Sequence, residues 1–187
     1  MTTWKLDPAH TQVTFSAKHM MVTTVRGQFH DVQGTIELDE ADPTRSRGEF
    51  TVAAASVDTN FGARDTHLRS ADFFDVERFP AITFTSTAVE AAGRDRYRVT
   101  GDLTIRDVTK PATFDVELDG IVPGMRGGRH AGLSVSAKLA RDDWGLNWNV
   151  ALEQGGWLVG KEIKLEIAIA ADEVEAVVPA ELVGASA

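Results

Sequence analysis

The chain has 187 residues, 28 acidic against 19 basic for a net charge of −9, with 43% hydrophobic residues and no cysteine. That length suits one all-β domain with a sizeable core, and the acidic balance without a dense Lys/Arg cluster argues against nucleic acid and anionic membrane surfaces as partners. The lack of cysteine excludes a disulfide scaffold, a thiolate nucleophile and Cys-ligated metal sites.

The opening stretch, MTTWKLDPAH, carries no apolar h-region, so no signal peptide is visible and a cytoplasmic location is expected. No apolar run approaches the roughly 18 residues that a helical membrane span needs. Strict alternation begins where Val13, Phe15 and Ala17 interleave with Thr14, Ser16 and Lys18. A long strand segment follows from Val25 to Asp39, and Phe50, Val52 and Ala54 keep the same period. The stretch from Arg64 to Pro80, RDTHLRSADFFDVERFP, breaks the alternation and predicts a short helical insertion at about 61–79. Ser70 can cap a turn ahead of Phe73 and Phe74, while Leu68, Phe73 and Phe74 can close one end of the sheet. Asp65 is expected as a helix cap or as the partner of an arginine. Pro80 forces Phe79 into an extended conformation and launches the next strand.

Alternation resumes with Ile82 and Phe84, then Tyr97 to Ile105, Phe114 to Leu118, Leu133 to Leu139 and Ile163 to Ile169. Gly- and Pro-bearing turns separate these runs. Counting Val25 to Asp39 once gives eight strands, and clean alternation with short connections favours an antiparallel sheet closed into a barrel. The barrel domain is expected over residues 1–171, with 172–187 a loosely ordered C-terminal tail. Ala17, Ala54, Ser56, Ser86, Ala88, Gly101 and Ala137 fall in the apolar phase. Such small residues either leave a cavity among Val, Ile, Leu and Phe or meet the taper of a filled barrel.

Few motifs point to catalysis. GGWLVGKE, Gly155 to Glu162, fits a phosphate-loop spacing, but Glu162 lacks the required hydroxyl and the following IKLEIAIA reads as a strand. No His-x-His or His-x-x-x-His pair occurs, so no metal is expected. His19 continues the inward phase of Val13, Phe15 and Ala17, either to hydrogen-bond a ligand's polar end or to be satisfied within the core. Trp144, Trp148 and Trp157 either line a cavity mouth, offer a partner surface or plug one end of the barrel.

The ordered set Asp7-Pro-Ala-His10-Thr-Gln-Val13-Thr-Phe15, Lys18-His19, Gly27-Gln-Phe29, Ser56-Val-Asp-Thr59, the Arg64 to Thr87 block, GDLTIRDVTKPATFDVELDG and Arg141 before Trp144-Gly-Leu146 resembles the YceI-like, polyisoprenoid-binding proteins. Two departures stand out: family members often carry a secretory signal, and Thr11 stands where serine is usual. The resemblance runs from about Trp4 to Ala171. It implies an eight-stranded, antiparallel, lipocalin-like barrel, often a dimer, whose hollow interior holds a long polyisoprenoid, isoprenoid quinone or similar lipid for binding, storage or transport. It implies no catalytic residues and no cofactor. On this reading Phe15, Ala17, His19, Met21 and Phe29 face the ligand from the first strands, and Phe73 and Phe74 face it from the insertion. Phe84, Gly101, Leu103, Phe114 and Val135 follow from the later strands, then Trp144 and Trp148, with Arg64 and His67 as gating or polar-end candidates. The alternatives are an enzyme using His19 or His67 as acid or base on an apolar substrate, with Asp65 and His67 as a pair, and a stress-linked protein-interaction scaffold.

Overall fold

The computed structural model describes residues 1–125 and 127–174. One antiparallel sheet contains strands β1 (Thr2–Leu6), β2 (Gln12–His19), β3 (Thr23–Phe29), β4 (Val32–Leu38), β5 (Arg47–Ala53) and β6 (Val57–Asp58). It continues through β7 (Ala81–Gly93), β8 (Arg96–Ile105), β9 (Val108–Pro123), β10 (Arg129–Ala140) and β11 (Val159–Glu173). The order β1-β4-β5-β7-β8-β9-β10-β11 closes on itself through β1 and β11, which makes an eight-stranded barrel. The ribbon β2-β3-β6 continues from β11 beside that closure.

Eleven named strands and eight lanes are compatible because β11 pairs with β2 over Val159 to Ala168 and with β1 over Ala171 to Glu173. Strands β1 and β2 are thus successive parts of one lane, and β3 and β4 together form the segment expected from Val25 to Asp39. The alternation template missed β1 because five residues with only Trp4 and Leu6 facing inward give too little signal. This short strand is nevertheless the one that closes the eight-stranded ring. Trp4 is buried at the seam against Ala131 and Ala171. Arg129 stacks over its ring at 5.2 Å and reaches Glu173 at 2.8 and 2.9 Å and Glu40 at 2.8 Å. These hydrogen bonds hold the Glu173 carboxyl below the usual carboxylate range and raise the arginine. β11 therefore runs through Asp172 and Glu173, two residues past the expected barrel end, and residues 175–187 of the expected tail lie outside the described residues.

Three of the small positions depart from simple alternation. Ala54 and Ser56 lie in a 3-10 turn after β5, where Ser56 Oγ donates to the Ala53 carbonyl at 2.7 Å and accepts from the Asp31 amide at 3.1 Å. The register of β7 shifts between Ser86 and Ala88, so Ala88 turns outward and Val89 takes the inward place. The helix α1 (Gly62–Arg69), followed by turns to Phe79, lies between β6 and β7 as the sequence indicates.

Candidate functional site

The barrel is hollow. A cavity of about 690 Å³ runs from Trp4, Leu38 and Ala131 at one end to His19, Phe61 and Val159 at the other, with an almost wholly hydrocarbon lining. Along β11 the lining extends from Val159 to Ala171, about 40 Å at roughly 3.3 Å per residue. A strand tilt of about 40° reduces this to an axial length near 30 Å. Averaged over that length, the volume corresponds to a tunnel about 5 Å across, wide enough for one hydrocarbon chain at carbon contact distances of about 3.5 to 4.0 Å.

Large residues line a tunnel without plugging it because several phenylalanine rings lie flat against the wall over glycines of the neighbouring strand. Phe15 is opposite Gly27 across β2 and β3, and a Cβ on Gly27 would lie 2.5 Å from Phe15 Cζ. Phe50 covers Gly34 in the same way, and Phe84 covers Gly101. Gly101 consequently does not line the cavity itself; it provides the recess that lets Phe84 lie back. The sequence marks Gly27 only within the family motif Gly27-Gln-Phe29 and does not single out Gly34, and it shows neither as the seat of a ring. The missing signal was the cross-strand register that sets each one under a ring.

One end of the tunnel is crossed by α1 and by the segment from Arg141 to Leu158. Asp65, in the first turn of α1, is buried and accepts from the Thr59 amide at 2.9 Å and from the Thr59 hydroxyl. Arg64 donates through Nε to Thr59 Oγ1 at 2.7 Å and through Nη2 to the Thr59 carbonyl at 2.9 Å. Asp65 therefore pairs with a threonine, not with an arginine, and both side chains fasten the helix to the end of β6. His67 meets Asp72 at 2.8 Å and stands edge-on to Trp148, ring centroids 4.5 Å apart. Asp65 and His67 thus turn to different partners and form no dyad.

The second crossing segment hangs from Arg141, which is 4% exposed. Its Nε donates to the Gly160 carbonyl at 3.0 Å, Nη1 to those of Leu146 and, at 3.0 Å, Trp148, and Nη2 to Val159 at 3.4 Å. Burial lowers its pKa from the usual guanidinium value, opposed in part by Asp142. Asn149 adds a pair of bonds to the Val159 backbone at 2.7 and 2.9 Å. Trp144 is buried and donates to the Leu103 carbonyl at 2.9 Å, while Trp148 packs on Phe73 at 5.5 Å. The three tryptophans therefore form no single cluster: Trp144 and Trp148 line the cavity, and Trp157 stands half-exposed outside it.

Of the residues expected to face a ligand, Phe15, Ala17, His19 and Phe29 line the cavity from β2 and β3, and Phe73 and Phe74 line it from the insertion. Phe84, Leu103, Phe114 and Val135 line it from the later strands, and Arg64 and His67 reach it from α1. Met21 does not. It follows the last residue pair of the β2–β3 ribbon, with a left-handed φ of 65°, and points out of the barrel. His19 is half-buried in the wall.

A family model for the YceI-like domain matches residues 4–171. A UPF0312 protein of Staphylococcus aureus is 38% identical over 167 residues, covering 89% of this chain and 95% of that protein. Among solved structures, a Campylobacter jejuni YceI protein is 31% identical with a TM-score of 0.73, covering 84% of this chain and 90% of that one. A polyisoprenoid binding domain from Saccharophagus degradans shares the fold at 12% identity, with a TM-score of 0.65 and coverage of 93% and 100%.

Proposed function

The chain belongs to the YceI-like domain family, and we propose that it binds one long-chain apolar or amphiphilic lipid, of the polyisoprenoid or isoprenoid quinone class, inside the barrel for storage or transport. The observation that carries this reading is the narrow, continuous, hydrocarbon-lined tunnel. A compact polar substrate would leave its hydrogen-bonding groups unpaired against such a wall, at a cost of roughly 1 to 3 kcal/mol each. An extended chain would instead gain about 0.8 kcal/mol per buried CH₂. Each five-carbon unit then contributes about 3 to 4 kcal/mol before ordering costs. A few units suffice for tight binding, and tunnel length sets how many can enter.

The chain's own residues divide the work. The flattened phenylalanines keep the bore open, and the wall excludes water. The polar end of the lipid rests near His19, whose imidazole can donate or accept according to its tautomer. Arg64 and His67, tied to Thr59 and Asp72, act on the ligand indirectly by fixing the cover formed by α1, Phe73 and Trp148. Binding without catalysis fits this arrangement better than an acid-base enzyme, because the expected Asp65 and His67 pair is not assembled. Titration of delipidated protein with a series of polyprenols of increasing length tests the reading. Affinity is expected to rise with length and then level off when the tunnel is full. Absence of saturable binding at every length would remove it.

A further inference from the structure

Around the covered end of the tunnel the surface is unusually apolar. Met20, Met21 and Val22 at the β2–β3 turn, Phe61 ahead of α1, and Val150 and Trp157 of the crossing segment are all about half exposed or more. The β2–β3 turn and the crossing segment form one rim, and Phe61 lines the same end of the tunnel. Met20 donates its amide to the Leu158 carbonyl at 2.8 Å, Leu158 donates to Val150 at 2.9 Å, and Met21 packs against Gly156. Met20 and Met21 both have left-handed backbone, with φ of 48° and 65°, a conformation that non-glycine residues seldom adopt without a compensating reason. Its result is to hold two apolar side chains in solvent. Just outside the tunnel a groove of about 270 Å³ is lined by Lys18, Met21, Trp157, Val159, Gly160 and Lys161, and its Lys18 and Val159 also line the tunnel. The rim is thus continuous with the bore.

The wall beside this rim carries cations that the sequence scatters over more than a hundred residues. Cross-strand register sets Lys138 beside Lys164, Lys164 beside Ser16 and Ser16 beside Arg26, with Lys18 one turn of the alternation nearer the rim. Lys161 lies at the groove itself. Lys138 and Lys161 meet Glu162 and Asp142, whereas Lys18, Arg26 and Lys164 have no carboxylate partner among the described residues. Glu162 and Glu166 flank Lys164 on the same face of β11, so the five cations Lys18, Arg26, Lys138, Lys161 and Lys164 stand against three carboxylates with Asp142. A positive balance on a chain of net charge −9 marks a local preference that the overall charge conceals.

We propose that this end of the barrel docks onto a phospholipid bilayer containing anionic lipid, with Met20, Met21, Val22 and Trp157 in the interface and the basic strip facing the headgroups. The inference deepens the lipid-binding reading and rests on it, since docking would let a chain pass between bilayer and tunnel without crossing water. The chemistry matches an interfacial surface: apolar and indole groups enter roughly 5 to 10 Å, and lysines reach the phosphates from the flank. A protein partner would bury the methionines and Trp157 equally well but gives no reason for the flanking cations to align with the rim; a bilayer gives one.

Co-sedimentation with vesicles free of any isoprenoid tests the surface separately from the tunnel. The wild-type chain should bind vesicles of phosphatidylcholine with phosphatidylglycerol, and bind phosphatidylcholine alone more weakly. The paired change Arg26→Gln with Lys164→Gln, neither of which lines the tunnel, should lower binding to the mixed vesicles at least about tenfold, given roughly fivefold per surface cation. Met21→Ser with Trp157→Ser should lower binding to both kinds of vesicle. All four positions are exposed, so circular dichroism melts should match wild type. Uptake of a short prenol from dilute solution should also be unchanged in the variants. Wild-type chain left in the supernatant, or variants that sediment like wild type, would overturn the docking proposal while leaving prenol uptake to speak for the tunnel. Vesicle binding without prenol uptake in any form would instead overturn the lipid-binding reading and with it the reason for docking.

Discussion

Replacing Gly27 by alanine adds a single methyl group, yet it should make a bottleneck in the tunnel at one level. The new Cβ would lie 2.5 Å from Phe15 Cζ, 2.9 Å from Phe15 Cε1 and 2.7 Å from Thr59 Cγ2, against ordinary carbon contacts of about 3.5 to 4.0 Å. Phe15 must retreat by about 1 Å, and the lumen that it lines gives it room. A bore near 5 Å then narrows to about the thickness of one chain with nothing to spare. A lipid held to one side of Phe15 forfeits at least one five-carbon unit, about 3 to 4 kcal/mol or several hundredfold in affinity for long chains. Overpacking should lower stability by about 1 to 3 kcal/mol. The assay is titration of Gly27→Ala with short and long polyprenols alongside thermal unfolding. Long chains should weaken far more than short ones, and Gly27→Ala combined with Phe15→Leu should recover most of the loss. Unchanged long-chain affinity in Gly27→Ala, or no recovery in the double variant, would refute the account of how the bore is kept open.

Other consequences are equally open to measurement. Trp148→Ala removes the face against which His67 and Phe73 pack, so bound lipid should dissociate faster, about tenfold or more if roughly 1.5 kcal/mol of contact is lost, as followed by exchange of a fluorescent prenol. Arg141→Met leaves the carbonyls of Leu146, Trp148, Val159 and Gly160 without their donor. With each buried acceptor costing about 1 to 3 kcal/mol and each kcal/mol about 2 to 4 °C at this size, the melting temperature should fall by at least about 10 °C. Glu173 is held below its ordinary pKa by Arg129, so its contribution is present above the unfolded carboxylate value and disappears as pH falls through the lower folded one. Wild type and Glu173→Gln should accordingly differ in stability at neutral pH and converge in acid, by a modest margin because the pair is partly exposed.

Much of this architecture was legible because period-2 alternation reports directly on which side chains face inward. Val13, Phe15 and Ala17, or Leu133, Val135 and Ala137, could be assigned to one face before any strand was placed, and the break at Arg64 to Pro80 stood out as an insertion. What the sequence concealed depends on register. Nothing local distinguishes Gly27 as a seat for Phe15, because the pairing joins residues of different strands. The bulge between Ser86 and Ala88 reverses the facing of Ala88 through one extra residue. Met21 continues the odd-numbered inward phase of β2, but the turn bends the backbone into the left-handed region before the pattern can be obeyed. Asp65 and His67, two apart on α1, project in different directions, as successive odd positions on a helix do, and they meet Thr59 and Asp72 respectively.

The central claim, that the tunnel is occupied by one long isoprenoid chain, is tested most directly by purifying the full-length protein without detergent and analysing its organic extract by mass spectrometry, with the intact complex weighed under native conditions. The account predicts one long-chain isoprenoid or isoprenoid quinone per barrel, released on denaturation and replaced on incubation with excess polyprenol. Repeated preparations that weigh as bare polypeptide, yield no lipid and accept none would contradict it.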